Sequence, residues 1–129
     1  MSPAGDAEGL RKLVLLLLKS YGRPMERRAI HSHLYELSRA LKSDLGFHER
    51  YAFSPLVERE LDRMIAEGLL KRLYVVGPRF TELYREYLKL TEKGEEAAGQ
   101  IEDRELGQLV ADLLSRHAQK KGEEGAAEG

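Results

Sequence analysis

The chain has 129 residues, no cysteine and a formal net charge of −1, with 33% of its residues charged. That length fits one domain with a real hydrophobic core, and the absence of thiols excludes a disulfide framework and cysteine-based metal or nucleophile chemistry. Charge is unevenly spread: residues 1–8 carry −2, residues 9–53 carry +5, residues 54–91 carry +1 and residues 92–129 carry −5.

A basic first half joined to an acidic end favours a nucleic-acid partner for the basic part. The competing reading is that these charges solvate the surface, or form the ion-pair networks of a thermophile. Met1 to Glu8 is small and acidic, unlike the basic start of a signal peptide, and is expected to be disordered. A first helix runs from Gly9 or Leu10 to about Tyr21, with leucines dense enough to predict burial on most sides. Its apolar run, Leu13 to Leu18 between Lys12 and Lys19, is far short of the roughly 20 residues that span a bilayer. The expectation is a soluble, cytoplasmic protein.

Tyr21-Gly22-Arg23-Pro24 breaks that helix, and a second is predicted from about Pro24 to Leu41. Ile30, Leu34, Leu37 and Leu41 share one face of it, at helical spacing. His31 and His33 are two residues apart and so point to different sides, a poor arrangement for a shared metal. The connection from Ser43 to Phe53 is longer than the three or four residues of a simple helix-turn-helix, and Phe47, Tyr51 and Phe53 are expected to pin it to the core.

Ser54-Pro55 opens a third helix, with serine as cap and proline in the first turn. Leu56, Val57, Leu61, Met64 and Ile65 give it an apolar face, and Gly68 is placed to close it in the left-handed conformation. Lys71 to Val76 suits a strand. Gly77-Pro78 marks a turn, and a second extended segment ends in Tyr87-Leu88-Lys89-Leu90-Thr91. The stretch between holds Phe80, Leu83 and Tyr84, and reads either as a helical turn or as part of an extended hairpin.

From Glu92 to about Lys121 one long helix is predicted, with Ile101, Leu106, Leu109, Val110, Leu113 and Leu114 as an apolar stripe. That stripe must be buried, either on the first helix of its own chain or against a second subunit. Gly122 to Gly129 is low-complexity and reads as a solvated tail.

The run Leu61-Asp62-Arg63-Met64-Ile65-Ala66-Glu67-Gly68-Leu69-Leu70, then a ribbon, then Tyr87-Leu88-Lys89-Leu90-Thr91-Glu92-Lys93-Gly94, resembles the winged helix-turn-helix proteins. It is similar to the small PadR- and MarR-like transcriptional regulators of archaea and bacteria, over roughly Leu10 to Ala98. The resemblance implies an α+β, mainly helical fold with a two-stranded wing and an added C-terminal helix. The divisions are then a winged-helix domain over 9–94, a dimerisation helix over 95–121, and flanking segments 1–8 and 122–129.

The resemblance also implies double-stranded DNA as partner, and a homodimer joined through Ile101, Leu106, Leu109, Val110 and Leu113. The helix before Gly68 enters the major groove, so Arg59 and Arg63, one turn apart, are candidates for base or phosphate contact. Arg27 and Arg28, at the start of the second helix, are candidate backbone contacts, and Arg79 is the candidate at the wing tip. Arg39, Lys42, His48 and Arg50 can follow a phosphate strand. The third helix and its end also carry Glu58, Glu60, Asp62 and Glu67, which repel phosphate and can pair locally as Glu60–Arg63 and Arg63–Glu67. That acidity favours the alternative, a winged helix that docks a protein. No nucleophile motif, phosphate loop or metal spacing supports an enzyme, a cofactor or a small-molecule ligand.

Overall fold

The structure, a computed structural model, describes residues 7–48, 50, 52–75 and 85–128. Its elements run in the order α1 (Ala7–Tyr21), β1 (Met25–Glu26), α2 (Arg27–Leu41), α3 (Pro55–Ala66), β2 (Leu70–Val75), β3 (Arg85–Leu90), α4 (Glu92–Gly99) and α5 (Arg104–Glu128). The fold is therefore α+β and mainly helical. Its strands form one antiparallel sheet in the order β1-β3-β2.

The first helix is the hub. Leu10, Leu13, Val14 and Leu17 repeat at helical spacing and are buried, and Leu15 and Leu18 widen the buried surface to a second side. α1 needs that breadth because it packs on α3, α4 and α5 and also reaches β3. Each such leucine contributes about 1.5–3 kcal/mol when fully buried. No helix among the described residues is long and apolar enough to cross a membrane.

α3 begins and ends as its sequence requires. The Ser54 hydroxyl accepts the Val57 N–H at 3.3 Å, and Pro55 occupies the first turn, where its missing donor costs nothing. Gly68 takes φ +79°, and the Leu69 and Gly68 N–H groups return to the Met64 and Ile65 carbonyls at 2.9 and 3.1 Å. This closure satisfies carbonyls that the helix itself leaves open. Val57, Leu61 and Met64 are fully buried beneath it.

Four expectations are corrected. Met25 and Glu26 are strand rather than helix, paired with Leu88 and Tyr87 of β3, so the second helix starts at Arg27. The predicted helix from Glu92 to Lys121 is two helices. Asp103 starts the second, accepting the Leu106 N–H at 3.1 Å, and Ile101 to Asp103 lies outside both. Helix also extends into both expected tails: Ala7 and Glu8 belong to α1, and α5 continues to Glu128 across Gly122 and Gly125. The fourth correction concerns the stripe. Val110 and Leu113 are 0% and 2% exposed within this single chain, where α5 packs on α1 and α2. These two side chains are buried inside the chain and are not free for a seam with a second subunit. Ile101, Leu106 and Leu109 are partly buried against the same core.

The 43–53 connection carries no regular helix or strand among its described residues. Leu45 is its buried anchor, and Phe47 packs edge-on to Tyr35 at 5.4 Å between centroids. Phe53 stacks on His31 but keeps 47% of its surface exposed. Tyr51, Arg79 and the expected turn through 77–84 lie outside the described residues.

Candidate nucleic-acid interface

The charged side chains of α3 separate by face. Val57, Glu60, Leu61 and Met64 point inward. Pro55, Leu56, Arg59, Asp62, Arg63 and Ala66 are exposed. What decides the character of the outer face is the fate of the acids.

Each of the four carboxylates is engaged by a cation from another element. Arg27, on the first turn of α2, reaches Glu58 at 2.8 Å, Asp62 at 2.7 Å and Glu86 of β3 at 3.1 Å. Arg72 of β2 adds contacts to Asp62 at 3.6 Å and Glu86 at 3.2 Å. Arg11 of α1 holds Glu60 at 2.6 Å through Nε, and its two terminal nitrogens fork onto Glu67. Such bidentate, charge-assisted pairs are stronger than ordinary hydrogen bonds.

His31 completes the contact between α2 and α3. Its Nδ1 accepts the Ser54 N–H at 3.2 Å, so the proton sits on Nε2, which donates to Glu58 at 2.6 Å. The ring is buried, stacked 4.7 Å from Phe53 and edge-on to Phe47 at 6.4 Å. His33 faces the other way, edge-on to His117 of α5 at 4.7 Å. The two histidines thus serve opposite sides of α2.

Burial works against the charge on Arg27, but hydrogen bonds to Asp62 and Glu58, and the fields of Glu58 and Glu86, outweigh it and push the guanidinium pKa up. The Glu67 hydrogen bond does the same for Arg11, against its partial burial. In return Arg11 holds the Glu67 carboxyl below its usual range.

The predicted contact residues consequently divide. Arg27 is largely enclosed: its side chain is 12% exposed and paired with three carboxylates, so it braces α2 against α3 and β3. Arg28 is exposed and, among the described residues, makes no ion pair. Arg59 is likewise exposed and unpaired, and Arg63, 59% exposed, has one long contact of 3.8 Å to Glu60. The expected Arg63–Glu67 pair is replaced by Arg11–Glu67. Arg39 and Lys42 lie at the far end of α2 from Arg28, with Arg39 5.9 Å from the centre of the Tyr35 ring. Arg79 lies outside the described residues. Beside Arg28 a groove of about 500 Å³ runs between α2 and the start of α3, lined by His31, Ala52, Phe53 and Glu58.

Other cations lie on the ribbon. Lys71 and Lys89 stand directly opposite each other in the β2–β3 register, an unfavourable pairing, with Arg85 opposite Val75 on the same face. Strand alternation places these three on the side opposite Arg72 and Glu86, away from α3. They do not extend the α3 surface.

Comparison with family models, curated proteins and solved structures finds no match.

Sequence reasoning missed the pairing of Arg11 and the structural roles of Arg27 and His31. Arg11 bonds to residues 49 and 56 positions away, and Arg27 and His31 to side chains 27 to 59 positions away, so no local spacing announces them. One signal was present. Four acids on and beside one half-buried helix require cations from elsewhere, because a buried carboxylate such as Glu60 is costly unless paired.

Proposed function

We propose that this chain is a winged helix-turn-helix protein that binds double-stranded DNA through the outer face of α3, as a transcriptional regulator does. The β2–β3 ribbon is the wing. One observation carries the reading: all four carboxylates of α3 and its end are taken up by Arg11, Arg27, Arg72 and His31, and Arg59 is outward and, among the described residues, unpaired. Three arginines share five carboxylates, Glu86 included, so the pairing offsets the acidity of the helix in part. Arg28 and Arg63 stand with Arg59 as the cations available to phosphate or base edges.

The surplus is small, and it sets a number. Three arginines that each displace one counterion give a salt slope of about −2.7 per chain. Fluorescence anisotropy with random-sequence duplex DNA, titrated across salt, measures it. The expected result is binding at low salt that weakens with about that slope, and a slope reduced by about two in the variant R28Q/R59Q. No binding at low salt removes the electrostatic basis of the proposal. A second reading rests on Phe53 and Leu56, 47% and 45% exposed beside the start of α3. Those apolar groups suit a protein partner, and absence of DNA binding would favour it.

A further inference from the structure

A second cleft, of about 420 Å³, opens where the end of α1, β1, α2 and β3 meet the middle of α5. Its size is within the range of small-molecule sites. Its lining includes Arg23 and Glu26, whose charges are opposite and lie three residues apart. Among the described residues Arg23 makes only a cation–π contact, 4.8 Å from the centre of the Tyr21 ring, and Glu26 makes no ion pair, with Arg23 or with any other cation.

The state of Glu26 is informative. It occupies the cap position of α2, and its side chain makes no hydrogen bond to the helix N-terminus. In the β1–β3 register Glu26 stands opposite Tyr87, so carboxylate and phenol project from one face of the sheet into the same cleft. The Tyr21 and Tyr87 hydroxyls also carry no hydrogen bond among the described residues. Pro24 and Leu114 supply an apolar wall.

A simple anion here would meet Glu26 and a simple cation would meet Arg23, each at a cost. A molecule carrying both charges satisfies both. We infer that this cleft binds a free α-amino acid with an apolar side chain, its carboxylate on Arg23 and its ammonium on Glu26. The side chain lies against Pro24, Leu114 and the tyrosine rings.

The test is isothermal titration calorimetry on the full chain with L-leucine and L-phenylalanine. N-acetyl-L-leucine, which lacks the ammonium, and L-leucinamide, which lacks the carboxylate, are titrated in parallel. Saturable binding of at least one amino acid is expected, with both modified leucines at least about tenfold weaker. R23Q should weaken the amino acid about tenfold while leaving L-leucinamide unchanged, and E26Q should weaken it similarly while leaving N-acetyl-L-leucine unchanged. Circular dichroism confirms that each variant is folded. No saturable heat from either amino acid up to about 10 mM overturns the inference. So does equal binding of the modified leucines, a readout that requires no variant to fold.

Discussion

Arg11→Met tests how α3 is held. Glu60 is a carboxylate with 3% of its side chain exposed, and Arg11 is its nearest cation, at 2.6 Å. Removing one partner of a buried pair costs about 3–5 kcal/mol, because the other charge stays buried and unmatched. Here part of that is recovered, since Arg63 lies 3.8 Å from Glu60 and can move closer. Arg63 is 59% exposed, so its help is screened by water and the loss should settle at about 2–4 kcal/mol. Urea unfolding reads this as a midpoint about 1–2 M lower, for a slope near 2 kcal/mol per molar. The double variant Arg11→Met with Glu60→Met removes both charges and should recover most of the loss, because an apolar pair of similar shape carries no stranded group. A cost below about 0.5 kcal/mol for the single variant, or a double variant no more stable than the single, would refute the account.

Arg27→Met should cost about 1–3 kcal/mol, discounted because Glu58, Asp62 and Glu86 are partly exposed and rehydrate. The folded variant should keep its DNA affinity, and a tenfold loss of affinity at unchanged stability would return Arg27 to the contact surface. Leu113→Asp places a charge in the core and should abolish cooperative folding, seen by circular dichroism. A folded monomer released from a dimer, seen by sedimentation, would instead place the stripe between subunits. Stability should fall on acidification. The Arg11 hydrogen bond lowers the Glu67 carboxyl, and the Lys12 and Leu106 hydrogen bonds lower that of Asp103. Both contributions are present above the unfolded carboxylate pKa of about 4 and disappear as pH drops through the lower folded values, so urea midpoints at pH 6 and pH 3 give the sign. Gly94→Ala should destabilise by about 1–3 kcal/mol in thermal melts, since a Cβ there would sit 2.1 Å from the Leu69 carbonyl oxygen.

The elements with strong local signals were legible in sequence. Ser54, Pro55 and Gly68 bound α3 through their own hydrogen bonds and conformation, and the α1 leucines needed no partner to be recognised as core. β1 was not legible, because two residues have no measurable period and Met25 and Glu26 become strand only by pairing with Leu88 and Tyr87. The break at 101–103 was hidden by apolar residues that continue the helical spacing across it. Of the candidate surface, the exposed Arg28, Arg59 and Arg63 were visible as residues. Their freedom was not, because it depends on which distant cations claim the acids.

The junction after α3 has a mechanical consequence. The Glu67 carbonyl accepts from the Lys93 ammonium, the Gly68 carbonyl from the Thr91 hydroxyl, and the Leu69 carbonyl from the Thr91 N–H at 3.1 Å. Three successive carbonyls leaving the helix are thus gripped by the segment in which the ribbon ends. Both feet of the ribbon, Leu70 and Leu90, are paired directly above this grip. A hinge at the base of the ribbon would have to break several of these bonds together. Helix and ribbon base therefore turn as one lever.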